Sequence, residues 1–193
     1  MNYWFDMDGV LVQYDRDGYV GQNPKYLQLG SHYFRNLKPD TKAIKTLQIL
    51  SERNKNKIFI LTTISNLGSL YVEQMTDKIA WLREYCPFLD IQTQFIPAVS
   101  SKRDIVEAIR KPDGLGIGLN DVLIDDWNTN LNEWTASGGL ALKYLNGINS
   151  PNNKNKQVSY RGINLTDYMS SEDIVALLDM ITSTGLIRKQ KTT

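Results

Sequence analysis

Residues 3–11 read Tyr3-Trp4-Phe5-Asp6-Met7-Asp8-Gly9-Val10-Leu11, and this stretch decides the fold. The aromatic run Tyr3–Phe5 suits a buried strand, because large flat side chains pack well on a pleated surface. It stops abruptly at Asp6-Met7-Asp8-Gly9, where two carboxylates and a glycine follow without a polar spacer. Two similar runs lie further along. Ile58-Phe59-Ile60-Leu61 stops at Thr62-Thr63, and Val122-Leu123-Ile124 stops at Asp125-Asp126. Ile91–Ile96 and Leu140–Leu145 are weaker strand candidates.

Helical patterns separate these runs. Ala43, Ile44, Leu47 and Leu50 have helical spacing after the start signal Pro39-Asp40. Met75, Ile79 and Leu82 mark a second helix that Cys86-Pro87 ends. Ile105, Val106 and Ile109 mark a third, with Ser101 as its N-cap. Ser170–Asp173 reads as a capping box that opens a last helix carrying Ile174, Leu177, Leu178 and Ile181. Continuous apolar strands alternating with amphipathic helices predict a Rossmann-like three-layer α/β/α sandwich around a parallel sheet. In such sheets ligands bind beyond the carboxyl ends of the strands, so the acids and hydroxyls there should converge on one crevice.

The chain has 193 residues, the size of a single domain, and we expect one catalytic domain over 1–193. The stretch Gln13–Asn36 lacks a long period and reads as a small insert above the crevice. Ser150–Lys156 reads as a polar loop. With 22 basic and 21 acidic residues the net charge is +1, which argues against a standing nucleic-acid complex or a membrane-surface field. The single cysteine, Cys86, excludes an internal disulfide and a cysteine-based zinc site. No run reaches the ~18 apolar residues of a membrane span, and the first residues lack signal-peptide character. A soluble cytoplasmic protein is expected.

If Asp6, Asp8, Asp125 and Asp126 share one site, each pair of charges at about 4 Å repels by roughly 4 kcal/mol at an effective dielectric near 20. A cation or protonation must offset this. Hard oxygen ligands without histidine or thiolate suit Mg²⁺, which keeps waters free for a substrate phosphate. Taken singly, each motif has a plainer reading. Asp6-Met7-Asp8 and Asp125-Asp126 can be turns, Thr62-Thr63 can end a strand, and Lys102 can be a solvated lysine. Their common strand-end context and their order favour one mechanism.

Those residues, in that order, resemble the four motifs of the haloacid dehalogenase-like phosphohydrolases: Asp6-Met7-Asp8-Gly9-Val10-Leu11, Ile58–Thr62, Lys102 and Leu123-Ile124-Asp125-Asp126. Within that superfamily the chain is most similar to the 5′(3′)-deoxyribonucleotidases and their phage and bacterial relatives. That narrower likeness rests on Thr62-Thr63, on Asp77–Tyr85, on the Leu-Ile-Asp-Asp string and on Asn130–Trp134 followed by Gly138-Gly139. The resemblance implies a Mg²⁺-dependent phosphomonoesterase. Asp6 would be the nucleophile that becomes an aspartyl-phosphate, and Asp8 the general acid and base. Gly9, Thr62, Thr63 and Lys102 would bind phosphate. Mg²⁺ would sit between Asp6, the Asp8 carbonyl and the Asp125-Asp126 pair, with the direct ligand of that pair left open.

The insert at about 13–36 is too short for a multi-helix cap. Tyr14, eight residues after Asp6, lies where the family has an aromatic residue near the base; base stacking and packing of the insert are equally open readings. A reduced cap leaves the crevice accessible and raises the expectation that a second copy, as in a homodimer, or a large substrate closes it. The substrate implied is a small phosphate monoester, first a nucleotide. A sugar phosphate or a nucleic-acid end is the alternative, and a nucleotide-binding module without turnover is the reading from another class. Tyr33, Phe34, Trp81 and Trp134 read as packing residues, Trp127 as a loop anchor, and Asn128 and Asn130 as shaping the turn after the acids. The lone His32 reads as a surface or packing residue.

Overall fold

The computed structural model describes residues 1–13, 30–54, 57–147, 149 and 158–183. Tyr14, most of the 13–36 insert and the polar loop at 150–156 lie outside the described residues.

The chain enters on β1 (Asn2–Phe5), makes a tight turn and leaves through the short β2 (Val12–Gln13). It returns after the insert on β3 (Lys38–Pro39), which pairs antiparallel with β2. Helix α1 (Thr41–Asn54), strand β4 (Ile58–Thr63) and helix α2 (Gly68–Tyr85) follow. A single helical turn, α3 (Ile91–Gln94), precedes β5 (Phe95–Ala98) and α4 (Lys102–Arg110). The chain then runs through β6 (Asp121–Asp125), α5 (Asn128–Ala136), β7 (Leu140–Tyr144), β8 (Ile163–Leu165) and α6 (Ser171–Ser183).

Six of these strands form one sheet in the order β5-β4-β1-β6-β7-β8, and every pairing in it is parallel. Alternation along the strands divides the core between two faces. Tyr3, Phe5, Ile58, Ile60, Val122 and Ile124 pack with Leu47 of α1, Trp81 of α2 and Leu178 of α6. Trp4, Leu61 and Leu123 pack on the other face with Val106 of α4 and with Leu131 and Trp134 of α5. Trp4 stacks on Phe59 and meets Trp134 edge-on, at centroid distances of 4.3 and 5.8 Å. The expected Rossmann-like α/β/α sandwich with a parallel core sheet is therefore the observed fold.

Local expectations fared unevenly. The capping box is formed: the Asp173 carboxylate accepts the Ser170 N–H at 2.9 Å, and the Ser170 hydroxyl accepts the Asp173 N–H at 3.1 Å. Ser101 does precede α4, but its hydroxyl donates to Glu133 Oε2 at 2.8 Å instead of capping the helix. Ile91–Ile96 is not one strand. Asp90 accepts the Gln92 N–H, winding residues 91–94 into a helical turn and delaying the strand to Phe95. Among the described residues, no helix is long and apolar enough to cross a membrane.

Candidate active site

The site is assembled where β1, β4, β6 and β7 end on the same edge of the sheet. Asp6 follows β1 directly and is 5% exposed. Beyond it the Met7 carbonyl accepts the backbone N–H groups of Leu11 and Val12 at 2.9 and 3.0 Å, which folds residues 7–12 into a compact loop. Gly9 makes that loop possible. Its φ is +84°, and a Cβ there would lie 2.3 Å from Asp126 Oδ2 and 2.7 Å from Asn146 Nδ2. The Gly9 N–H, expected to face a phosphate, donates to the Val12 carbonyl at 3.1 Å. The glycine is needed here for close approach between the β1 and β6 loops.

Three buried lysines tie the acids together. Lys102, at the start of α4, reaches Asp6 Oδ1 at 2.6 Å and Asp125 Oδ2 at 2.7 Å. Lys78, in the middle of α2, is fully buried and pairs with Asp8 Oδ2. It also donates to Thr62 Oγ1 at 2.7 Å and to the Thr63 carbonyl at 3.0 Å, and lies 4.5 Å from the Phe34 ring centre. Lys143 of β7 donates to the backbone carbonyl of Asp126. Thr62 is buried against Asp8 (3.4 Å), whereas the Thr63 side chain is exposed.

Hydrogen bonding distinguishes the two acids that sequence left equivalent. Asp125 is fully engaged: Oδ1 accepts the Trp127 N–H at 2.7 Å, and Oδ2 accepts from Lys102 and from Asn130 at 2.9 Å. Asp126 is held by one oxygen only, since Asn146 and Asn149 both donate to its Oδ2 at 2.6 Å. Asn146 also donates to the Gly9 carbonyl at 2.9 Å, linking the two loops. Asp6 is likewise held through Oδ1, by the Met7 N–H at 2.7 Å and by Lys102. Among the described residues, Asp6 Oδ2 and Asp126 Oδ1 carry no hydrogen bond, and Asp8 Oδ1 is buried without one.

One carboxylate oxygen each of Asp6, Asp125 and Asp126 lies within 4.8 Å of the other two. Burial pushes the Asp6 carboxyl well above the usual range; Lys102 opposes that rise, while Asp125, Asp8 and Asp126 add to it. Burial and then Asp125 push Asp126 up to about 6. Burial alone would lower the Lys102 ammonium, but Asp125 and Asp6 reverse this and hold it above the usual lysine range. Even with three lysines present, the acids are short of positive charge. An all-oxygen donor set with two unbonded oxygens, on Asp6 and Asp126, fits a hard divalent cation such as Mg²⁺.

The fold thus brings together Asp6, Asp8, Gly9, Thr62, Lys102, Asp125 and Asp126, while Thr63 contributes its carbonyl. Sequence reading missed Lys78, Lys143, Asn146 and Asn149. The two lysines did leave a signal: Lys78 shares the helical stripe of Gln74, Trp81 and Leu82, and Lys143 interrupts an otherwise apolar strand. The asparagines lie in a loop whose pattern carries none. Trp127, expected to anchor its loop, has a 41% exposed side chain and reaches Asp125 through its backbone N–H.

No family model and no curated protein sequence matches the chain. Solved structures do match its fold. A D,D-heptose 1,7-bisphosphate phosphatase from B. bronchiseptica, complexed with magnesium and phosphate, matches with a TM-score of 0.60 at 10% identity, over 93% of this chain and 99% of that one. A hydrolase from Pseudomonas syringae matches with a TM-score of 0.54 at 16% identity, over 94% and 99% of the two chains. A haloacid dehalogenase-like hydrolase from Streptococcus pneumoniae gives 0.53 at 12% identity, over 92% and 97%. The architecture is that of the haloacid dehalogenase-like hydrolases.

Proposed function

We propose that the chain is a Mg²⁺-dependent phosphomonoesterase of the 5′-nucleotidase type, acting on nucleoside and first of all deoxynucleoside monophosphates. One observation carries this reading. Asp6 is buried and pinned through Oδ1 by a lysine and a backbone N–H, while among the described residues Oδ2 has no hydrogen-bond partner beside a second aspartate.

Asp6 Oδ2 attacks phosphorus, and the bond from phosphorus to the leaving oxygen breaks. Asp8 Oδ1 supplies the proton that the leaving alkoxide takes up; Lys78 and Thr62 hold the other oxygen of Asp8 and fix its rotamer. Water then attacks the aspartyl-phosphate, Asp8 accepts its proton, and the bond between Asp6 and phosphorus breaks to release inorganic phosphate. Lys102 stays against Asp6 throughout and offsets charge on the transferring group. Asp6, Asp126 and the Asp8 carbonyl are the groups that would hold Mg²⁺, which supplies further charge neutralisation for the phosphoryl oxygens. Asp125 positions Lys102 and the turn that carries Asp126. We read the chain as one catalytic unit with the 13–36 segment as a reduced cap.

A second reading, a sugar-phosphate phosphatase, is favoured by a cavity of about 340 Å³ beside Gly9. Gln13, Asp40, Lys42, Asn146 and Asp167 line it, a donor and acceptor set suited to a hydroxyl-rich leaving group. The protein that shares the fold at a TM-score of 0.60 is itself a heptose bisphosphate phosphatase. A panel of 5′-, 3′- and 2′-monophosphates, ribo and deoxy, assayed with Mg²⁺ beside sugar phosphates, separates the two. Fastest phosphate release from deoxynucleotides supports the first reading, and preference for sugar phosphates replaces it with the second. No release from any of them leaves a binding module.

A further inference from the structure

The structure assigns a second cation site, separate from the aspartate cluster and formed by His32, Glu73 and Asp77, for a borderline divalent ion of the Zn²⁺ class. Glu73 and Asp77 lie four residues apart on α2, and therefore on one face of it. Asp77 adjoins Lys78 in sequence but projects about 100° away around the helix axis, so one helix serves two sites. His32 belongs to the segment that returns from the insert. It has a φ of +50°, and among the described residues no other non-glycine residue has a positive φ. Glu73 fixes that segment by accepting the N–H groups of Gly30 and His32, at 2.5 and 3.2 Å.

One ligating atom from each of the three side chains lies within 4.8 Å of the other two. Asp77 is the independent pointer to a ligand. Its side chain is 2% exposed, and among the described residues its Oδ2 is buried without a hydrogen bond while its Oδ1 meets only the His32 ring. A buried carboxylate with one oxygen unpaired is poorly compensated by an imidazole that is itself 63% exposed. Ligands about 2.0–2.1 Å from a tetrahedral centre stand roughly 3.3 Å apart. The 2.9 Å between His32 Nδ1 and Asp77 Oδ1 needs to open by only a few tenths of an ångström to admit the ion. A donor set of one imidazole and two carboxylates suits Zn²⁺ or Co²⁺ better than Mg²⁺, which prefers oxygen alone. A bound ion would pin residues 30–32 to the helix that positions Lys78.

The test is a Co²⁺ titration of the full chain in excess Mg²⁺, followed by the visible d–d absorption of the metal, with isothermal titration of Zn²⁺ alongside. One ion per chain is expected, bound equally by wild type and by Asp126→Asn, which disables the aspartate cluster. His32→Ala, at an exposed position, should abolish the absorption, and Glu73→Gln should weaken Zn²⁺ binding at least 10-fold. Binding that disappears with Asp126→Asn, or that survives His32→Ala unchanged, overturns the proposal. The proposed phosphatase reading stands or falls separately, because this readout requires no turnover.

Discussion

Strand β6 starts at a buried aspartate, Asp121, and its other end leads into a cluster of acids, and the two regions are treated in opposite ways. At its start, Asp121 is saturated. Oδ1 accepts from the Asn2 amide at 2.9 Å and from the Trp4 indole at 3.3 Å, while Oδ2 accepts the Gly118 N–H at 2.9 Å and pairs with Arg110. Beyond its other end, Asp6, Asp8 and Asp126 each keep one oxygen without a hydrogen bond among the described residues, although buried lysines stand beside them. Burial is common to both ends, so burial does not mark the site. What marks it is a group of neighbouring carboxylates with acceptor capacity left unused, a cost that a bound cation or substrate would offset.

Exchanging the same atoms at the two ends should therefore give opposite results. Asp6→Asn is expected to leave under ~1% of phosphate release while the melting temperature stays near that of wild type, because it removes a nucleophile and a crowded charge. Asp121→Asn should leave turnover intact but cost roughly 2–3 kcal/mol in urea unfolding, since it strands Arg110 in a largely buried setting. Equal activity losses in the two variants would erase the distinction. Gly9→Ala comes next, with a loss of about 10²-fold in kcat/KM, because a methyl group cannot fit against Asp126 Oδ2 without moving the metal-facing loop.

Asn146→Ala sharpens the comparison by removing one of the two amides on Asp126. The concentration of Mg²⁺ giving half-maximal rate should rise about 10-fold, with kcat at saturating Mg²⁺ little changed. An unchanged Mg²⁺ requirement would remove Asn146 from the account.

The smallest expected effect is in pH. Burial and then Asp125 push the Asp126 carboxyl up to about 6 in the folded chain, against roughly 4 for an ordinary carboxylate when unfolded. Between those values the folded state binds more protons, so this group's contribution to metal-free stability falls as pH rises through the window. Mg²⁺ binds the deprotonated form, so the rise in melting temperature on adding it should be larger at pH 7.5 than at pH 5. An equal rise at both would show that the cation is not bound at Asp126.

The strand-end acids were legible because each follows an apolar run with nothing between, a pattern that only a parallel sheet ending at a polar crevice explains well. Lys102 was legible from its order relative to them. Lys78 was not, because reading a helix by its apolar positions passes over a lysine on the same stripe, and only three-dimensional placement shows Asp8 across from it. Asn146 and Asn149 act from a loop, where spacing says nothing about approach. Pairwise repulsion among the four carboxylates left out the lysines that the fold buries beside them. The segment 91–96 failed for a local reason, a side-chain cap from Asp90 that outweighed its apolar pattern.

The covalent role of Asp6 is tested most directly by acid-quenching the wild-type chain during turnover of a radiolabelled phosphate monoester with Mg²⁺ and mapping the label. Label is expected on the peptide containing Asp6, released by hydroxylamine as an acyl phosphate should be, and absent from Asp6→Asn. Turnover with no labelled protein, or label that persists in Asp6→Asn, would contradict it.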